Sequence, residues 1–137
     1  MIVIDTNVIY AAVRSRLGAS FVLLDSISKE KVSFAISAAL VFEYEDTLKR
    51  NLDKLPFSSD EIDDFLDSLI ALADHYSSHF LWRPFLRDAN DDMVLELAVA
   101  SGSKHIVTFN IKDFEGCSKF NVKAIDPLNY LRKEKLL

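Results

Sequence analysis

The apolar positions of this chain fall into blocks of two kinds. "IVID" (2–5), "VSFAI" (32–36), "HIVT" (105–108) and "VKAI" (122–125) are short compact runs, of the length and composition of strands. Elsewhere the apolar residues recur every three or four positions. "NVIYAAV" predicts a helix that Thr6 or Asn7 can cap. "ASFVLLDSISKEK" carries apolar residues at 21, 24 and 27, a helical spacing, and Ser37 is placed to cap the long helix "AALVFEYEDTLKRN". In "SSDEIDDFLDSLIALADH" positions 62, 65, 66, 69, 70 and 73 form an apolar stripe backed by acids. After a loop around "WRPFLRDAND" comes the helix "DMVLELAVAS", which Gly102 ends, and "DPLNYLRK" closes the pattern with Asp126 as cap and Pro127 at the first helical position.

Short strands that do not alternate, separated by helices, imply a mostly parallel sheet covered on both faces. The expected fold is therefore α/β, a three-layer α/β/α sandwich. In such sheets sites form beyond the carboxyl ends of the strands. That rule singles out Asp5, Ser37, the loop from Thr108 to Asp113, and the helix start at Asp91.

Composition narrows the class. A chain of 137 residues, half of them hydrophobic and only three of them glycine, is expected to form one domain over 1–137 with a sizeable core. No apolar run approaches the roughly 20 residues that span a bilayer, and the acid-bearing start "MIVIDTN" does not read as a secretory signal. Cys117 is the only cysteine, which excludes an intramolecular disulfide and suits a reducing cytoplasm. The formal net charge of −5 argues against passive electrostatic binding of nucleic acid. It leaves open an enzyme whose bound cations invert the field of an acidic pocket.

The acids then have to be weighed one by one. Asp5 ends a strand; a capping role is the plain alternative, but Thr6 or Asn7 can fill that role instead. In the helix after Ser37, Glu45 can pair with Lys49 and Asp46 with Arg50, four residues on. Glu43 has no such partner, since its neighbours at three and four residues are Leu40, Ala39, Asp46 and Thr47. Asp88, Asp91 and Asp92 crowd a helix N-terminus, where the helix dipole favours negative charge. Asp91 is followed by Val94, Leu95 and Ala98 and so heads the core-facing stripe, whereas Asp92 heads Leu95, Glu96 and Val99. Asp91 is accordingly the expected inward-pointing ligand and Asp92 a supporting acid.

Asp5, Glu43, Asp91 and the Asn110/Asp113 loop thus bring three or four oxygen-bearing groups to one edge of a sheet. Carboxylates gathered in this way repel unless a cation sits among them. Oxygen ligands without cysteine or paired histidines suit Mg²⁺ or Mn²⁺. The chemistry best supported by such a site is hydrolysis of a phosphodiester. Other motifs add little. His75 and His79 of "HYSSH" are four apart but have no third ligand nearby, and no glycine-rich phosphate loop or G-x-S-x-G turn is present. Cys117 has no evident activating base.

"VIDTNVI", "SAALVFEYEDTLKR", "RDANDDMVLELAVASGSKHIVTFNIKDF" and "AIDPLNYL" follow one another in the order of a known family. On these pieces the chain resembles PIN (PilT N-terminus) domains, in particular the VapC-like toxin branch of bacterial toxin–antitoxin pairs. The resemblance implies a PIN-like α/β/α sandwich and a Mg²⁺- or Mn²⁺-dependent ribonuclease site. The family's acids fall on Asp5, Glu43 and Asp91, with a fourth position in "TFNIKDF". Many relatives in the branch carry aspartate where this chain has Asn110, others carry asparagine, and Asp113 matches a second acid of that loop. The implied roles are Asp5 and Asp91 as metal ligands, Glu43 as a ligand or holder of metal-bound water, and Asn110 or Asp113 as the fourth corner. Thr6, Asn7 and Thr108 would support the carboxylates, and Arg14, Arg16 and Lys112 would steer RNA phosphates. A small antitoxin protein and a second copy of the chain are the implied partners, with the aromatic "HFLWRPFL" a candidate contact. The competing class is a catalytically silent PIN-like module that binds RNA or a partner protein, which Asn110 favours and the retained acids disfavour. A metal-dependent phosphohydrolase of another kind is disfavoured by the missing phosphate loop.

Overall fold

The computed structural model describes residues 1–77 and 85–137. His79 and most of the aromatic segment "HFLWRPFL" lie outside them. Five strands alternate with helices: β1 (Ile2–Ile4), α1 (Thr6–Arg14), α2 (Ala19–Ser28), β2 (Ala35–Ile36), α3 (Ala38–Arg50), α4 (Ser59–Leu72), β3 (Asp74–His75), α5 (Ala89–Ser101), β4 (His105–Val107), β5 (Lys123–Ile125) and α6 (Pro127–Lys133). Short 3-10 turns occupy Leu52–Lys54, Ile111–Phe114 and Cys117–Phe120. The expected strands and helices are all present, with one addition. His75 belongs to the two-residue β3.

All paired strands run parallel. β1 pairs with β4 and β4 with β5, while β2 pairs with β3. A parallel bridge from Ile2 to Phe34, with the Ile2 amide 3.1 Å from the Ser33 carbonyl, joins the two groups. The strand order is therefore β3-β2-β1-β4-β5. Every residue of β1 is buried, as are Ile106 and Val107 of β4, so both faces of the central strands are covered. This is the α/β architecture with helices on both sides that the unalternating strands predict.

The order of the strands also locates the site. From β1 the chain steps through β2 to β3 in one direction, then crosses back to β4 and β5 in the other. Right-handed crossovers place connections running in opposite directions on opposite faces, so α1 and α2 lie on one side and α5 on the other. The helices part where the direction reverses, between the carboxyl ends of β1 and β4. Asp5 and Thr108 are the residues that stand at this crevice.

Local signals start and stop the helices around it. Ser37 caps α3 by accepting from the Leu40 amide at 3.2 Å. Ser58 and Glu61 form a reciprocal capping box on α4, at 3.2 and 3.0 Å. Gly102 ends α5 in the left-handed region at φ +70°, which a side chain would strain. Asp126 caps α6, with Pro127 at its first position.

Candidate active site

The first corner is a hydrogen-bonded knot between β1 and β4. The Asp5 amide donates to the Val107 carbonyl at 2.9 Å, which sets Asp5 at the strand end. One carboxylate oxygen accepts from the Thr6 amide at 2.9 Å, and the other from the Thr108 hydroxyl at 2.8 Å. Asn7 spans the same gap: its Nδ2 lies 3.4 Å from both Asp5 Oδ2 and Thr108 Oγ1, and its Oδ1 accepts from the Phe109 amide at 3.3 Å. Asp5 is thus itself the cap of α1, correcting the expectation that Thr6 or Asn7 serves as cap. Capping uses only one oxygen, so the role does not exhaust the residue. Burial raises the Asp5 pKa; the Thr108 and Thr6 hydrogen bonds oppose this, and the charges of Asp113 and Asp88 add to it.

The second corner comes from α3, where three acids have separate fates. Glu45 pairs with Lys49 at 3.1 Å and Asp46 with Arg50 at 3.1 Å on the solvated face, as their spacing predicts. Lys49 also reaches Asp63 of α4 at 2.7 Å. Among the described residues Glu43 has no ion pair, and its Oε2 is buried without a hydrogen-bond partner. The Thr6 Oγ1 is buried and unpartnered as well; it faces Glu43 and favours its charged form without closing a hydrogen bond of ordinary length. Burial nevertheless raises the Glu43 pKa, with Asp5 and Asp88 adding repulsion. The next residue, Tyr44, is fully buried and donates its hydroxyl to the Ile4 carbonyl, tying α3 to the backbone just before Asp5.

The third corner is the start of α5. Asp91 has its pKa pushed up to about 7, first by burial and then by Asp5, Asp88, Asp113 and Glu43. Four other carboxylates therefore act on this one group. Asp92 is the buried member of the pair, only 8% exposed, and its Oδ1 accepts from the Leu86 amide at 2.9 Å and the Phe85 amide at 3.3 Å. Through these bonds Asp92, the expected supporting acid, fastens the chain that leads into α5. Asp88 is the residue that sequence reasoning passed over. It caps α5 through the Asn90 amide at 2.8 Å, and its charge raises the pKa of Asp5, Glu43 and Asp91 alike. The available signal was its place at the head of an acidic run on the carboxyl edge, which the capping role concealed.

The fourth corner is the 3-10 turn after β4. Asn110 donates its amide to Thr108 Oγ1 at 3.0 Å, and the Asp113 amide returns to the Asn110 carbonyl at 3.0 Å. Asp113 is exposed, yet its charge bears on both Asp5 and Asp91, so it supplies the negative field that neutral Asn110 does not. Lys112 is exposed in the same turn. Arg14 and Arg16 are not at this edge. Arg14 ends the nine-residue α1 that begins beside Asp5, about 13 Å along the helix axis. Arg16 lines a groove with Phe21, Phe57 and Phe65. The length of α1 thus sets Arg14 apart from the acidic edge, where a residue that steers RNA phosphates would be expected.

Asp5, Glu43, Asp88, Asp91 and Asp113 thus share one electrostatic field. A protein-family comparison matches residues 1–112 to the PIN domain, a span holding the first four of these acids. This chain belongs to the PIN domain family. Searches of curated proteins and of solved structures each found no match. PIN domains are generally nucleases and typically use divalent metals, and the donors in this PIN domain suit such an ion. They are all oxygen, the pKa values of Asp5, Glu43 and Asp91 are raised by burial and by neighbouring acids, and among the described residues Glu43 Oε2 is buried without a hydrogen-bond partner. Among the described residues no three His, Cys, Asp or Glu side chains already stand close enough to enclose a metal ion. Among the described residues, no helix is long and apolar enough to cross a membrane.

Proposed function

We propose that this PIN domain is a Mg²⁺- or Mn²⁺-dependent endoribonuclease and the toxin component of a toxin–antitoxin pair. The observation that carries the reading is the convergence of five carboxylates on the crevice where the strand order reverses, with no cation paired to Glu43 among the described residues. Repulsion of this kind is a cost to folding, and a divalent cation converts it into binding energy.

Asp5 and Asp91 would hold the ion directly, and Glu43 would bind it or a water attached to it. A bound divalent ion supplies orientation and deprotonation of the attacking water, together with neutralisation of charge on the phosphoryl oxygens. Thr108 and Thr6 orient Asp5, through a hydroxyl and an amide respectively, and Asn7 fixes the spacing between the two strand ends. Asp113 contributes charge at the fourth corner, where Asn110 offers only a neutral oxygen. Lys112, in the same turn, is positioned to meet a phosphate of the strand. In the toxin role the partner is a small antitoxin protein, and the chain acts as a homodimer in the cytoplasm. A small neighbouring reading frame encoding a basic or DNA-binding protein would support that role.

The test is cleavage of single-stranded RNA by the purified protein. Activity is expected with Mn²⁺ or Mg²⁺ and is expected to vanish with EDTA or in Asp5→Asn. Cleavage surviving both treatments would overturn the metal site. RNA binding without cleavage by the metal-loaded protein would indicate the silent module instead.

A further inference from the structure

We propose that Phe109 is a stacking platform for an unpaired base of the RNA strand held at the acidic edge. The inference rests on the nuclease reading above and assigns a substrate-binding residue to it. Phe109 follows Thr108, whose hydroxyl donates to Asp5, and the residue is 51% exposed. The backbone that carries the ring is held on both sides. The Phe109 amide donates to Asn7 Oδ1, the Asn110 amide to Thr108 Oγ1, and the Asp113 amide to the Asn110 carbonyl. The ring is therefore presented from a fixed position one residue from the carboxylate network. Ile111 beyond it is 43% exposed, and Phe42, immediately before Glu43 on α3, is 69% exposed. Apolar surface borders the acids from two elements.

Charge decides what this surface can take. Duplex binding draws its affinity from cations set against phosphates. Here the chain carries a net charge of −5, five carboxylates crowd the edge, and Lys112 is the one lysine or arginine of the turn that carries Asp113. Stacking needs no charge and accepts every base, provided the base is unpaired. A protein partner is the competing occupant, but interface cores are depleted in charged residues. The exposed side chains here are interleaved with Glu43, Lys112 and Asp113.

The experiment is a binding titration with Ca²⁺ in place of Mg²⁺ or Mn²⁺, using a short single-stranded RNA labelled with 2-aminopurine. The same strand bearing abasic sites and the same sequence as a duplex serve as comparisons. Phe109→Ala is expected to weaken binding of the intact strand about tenfold, the loss of one stacked base. Phe109→Trp is expected to keep the affinity, and the abasic strand to bind wild type and Phe109→Ala alike. Equal affinity of Phe109→Ala and wild type for the intact strand would overturn the proposal. So would an equal loss on the abasic strand, or an effect of Phe109→Ala confined to self-association measured by light scattering. If wild type cleaves RNA while these comparisons show no dependence on the base, the proposal fails and the nuclease reading stands. If wild type neither binds nor cleaves RNA, both fall.

Discussion

At the amino end of the sheet, Lys133 Nζ lies 3.0 Å from His105 Nε2, and Lys104 and Lys123 flank them; at the carboxyl end stand Asp5, Glu43, Asp88, Asp91 and Asp113. At each end one sign of charge predominates, with Glu134 beside the lysines and Lys112 beside the acids as the exceptions, and the predominant sign suits the helix termini found there. Lysines gather where α5 and α6 end, acids where α1 and α5 begin. The similarity stops with the consequences. At the amino end, burial and then Lys133 lower the pKa of His105, a group that is stable when neutral. At the carboxyl end burial and mutual repulsion raise three carboxylates together, and Asp91 reaches about 7. Helix dipoles account for the first arrangement. They act against the second shift, so the acids are gathered at a cost that capping and dipoles do not explain, and that a divalent cation would offset.

This contrast can be broken most severely by removing an acid. Asp5→Asn or Asp91→Asn is expected to cut RNA cleavage about a thousandfold or more, the scale of several kcal/mol of lost charge stabilisation. Lys104→Ala and Lys133→Ala, at the opposite end, are expected to leave it unchanged. Initial rates at saturating Mn²⁺ make the comparison. Thr108→Val should cost less, about 10- to 100-fold in metal affinity or rate, because it removes the hydroxyl that orients Asp5 but leaves every carboxylate in place. An unaltered rate in that variant would show that Asp5 is held well enough by Thr6 and Asn7 alone.

A subtler separation comes from pH. In metal-free folded protein Asp91 keeps its proton up to about pH 7, whereas the ordinary aspartate value is 3.8. Between these values the folded state binds more protons than the unfolded state, so stability falls as pH rises from about 4 to about 7 and then levels. The raised pKa values of Asp5 and Glu43 act in the same direction. Asp91→Asn is therefore expected to be more stable than wild type at pH 8 in EDTA while lacking activity. The check is thermal unfolding across pH, and a variant less stable than wild type at pH 8 would contradict it. The smallest expected effect is that of Lys112→Ala, about twofold on RNA affinity and weaker still at high salt, since an exposed single charge is well screened.

Much of this was legible in the residues themselves. Unalternating runs such as Ile2–Ile4 and Ile106–Val107 announce buried parallel strands, and Ser37, Gly102 and Asp126–Pro127 mark helix ends through chemistry that acts over three or four residues. Glu43 stood out because its helical neighbours offer no cation, and that rule of spacing held. What was not legible depends on distance through space. Asp91 and Asp92 differ by one step on a helix, and the stripe of Val94, Leu95 and Ala98 suggested only Asp91 turns inward. The fold instead buries Asp92 the more deeply of the two, because the loop at Phe85 and Leu86 passes within reach of its carboxylate. Asp88 was hidden behind its capping role, which it does fill while also lending its charge to the cluster. Arg14 and Arg16 are close to Asp5 in sequence, but a helix of nine residues carries them away from it.

The central claim is that the acidic edge is built for a divalent cation. Calorimetric titration of Mn²⁺ into the metal-free protein at pH 8 tests it most directly. Wild type, Lys104→Ala and Lys133→Ala are expected to bind with the same affinity, Asp113→Asn more weakly, and Asp5→Asn and Asp91→Asn not measurably. Binding that survives unchanged in Asp5→Asn and Asp91→Asn would contradict the account.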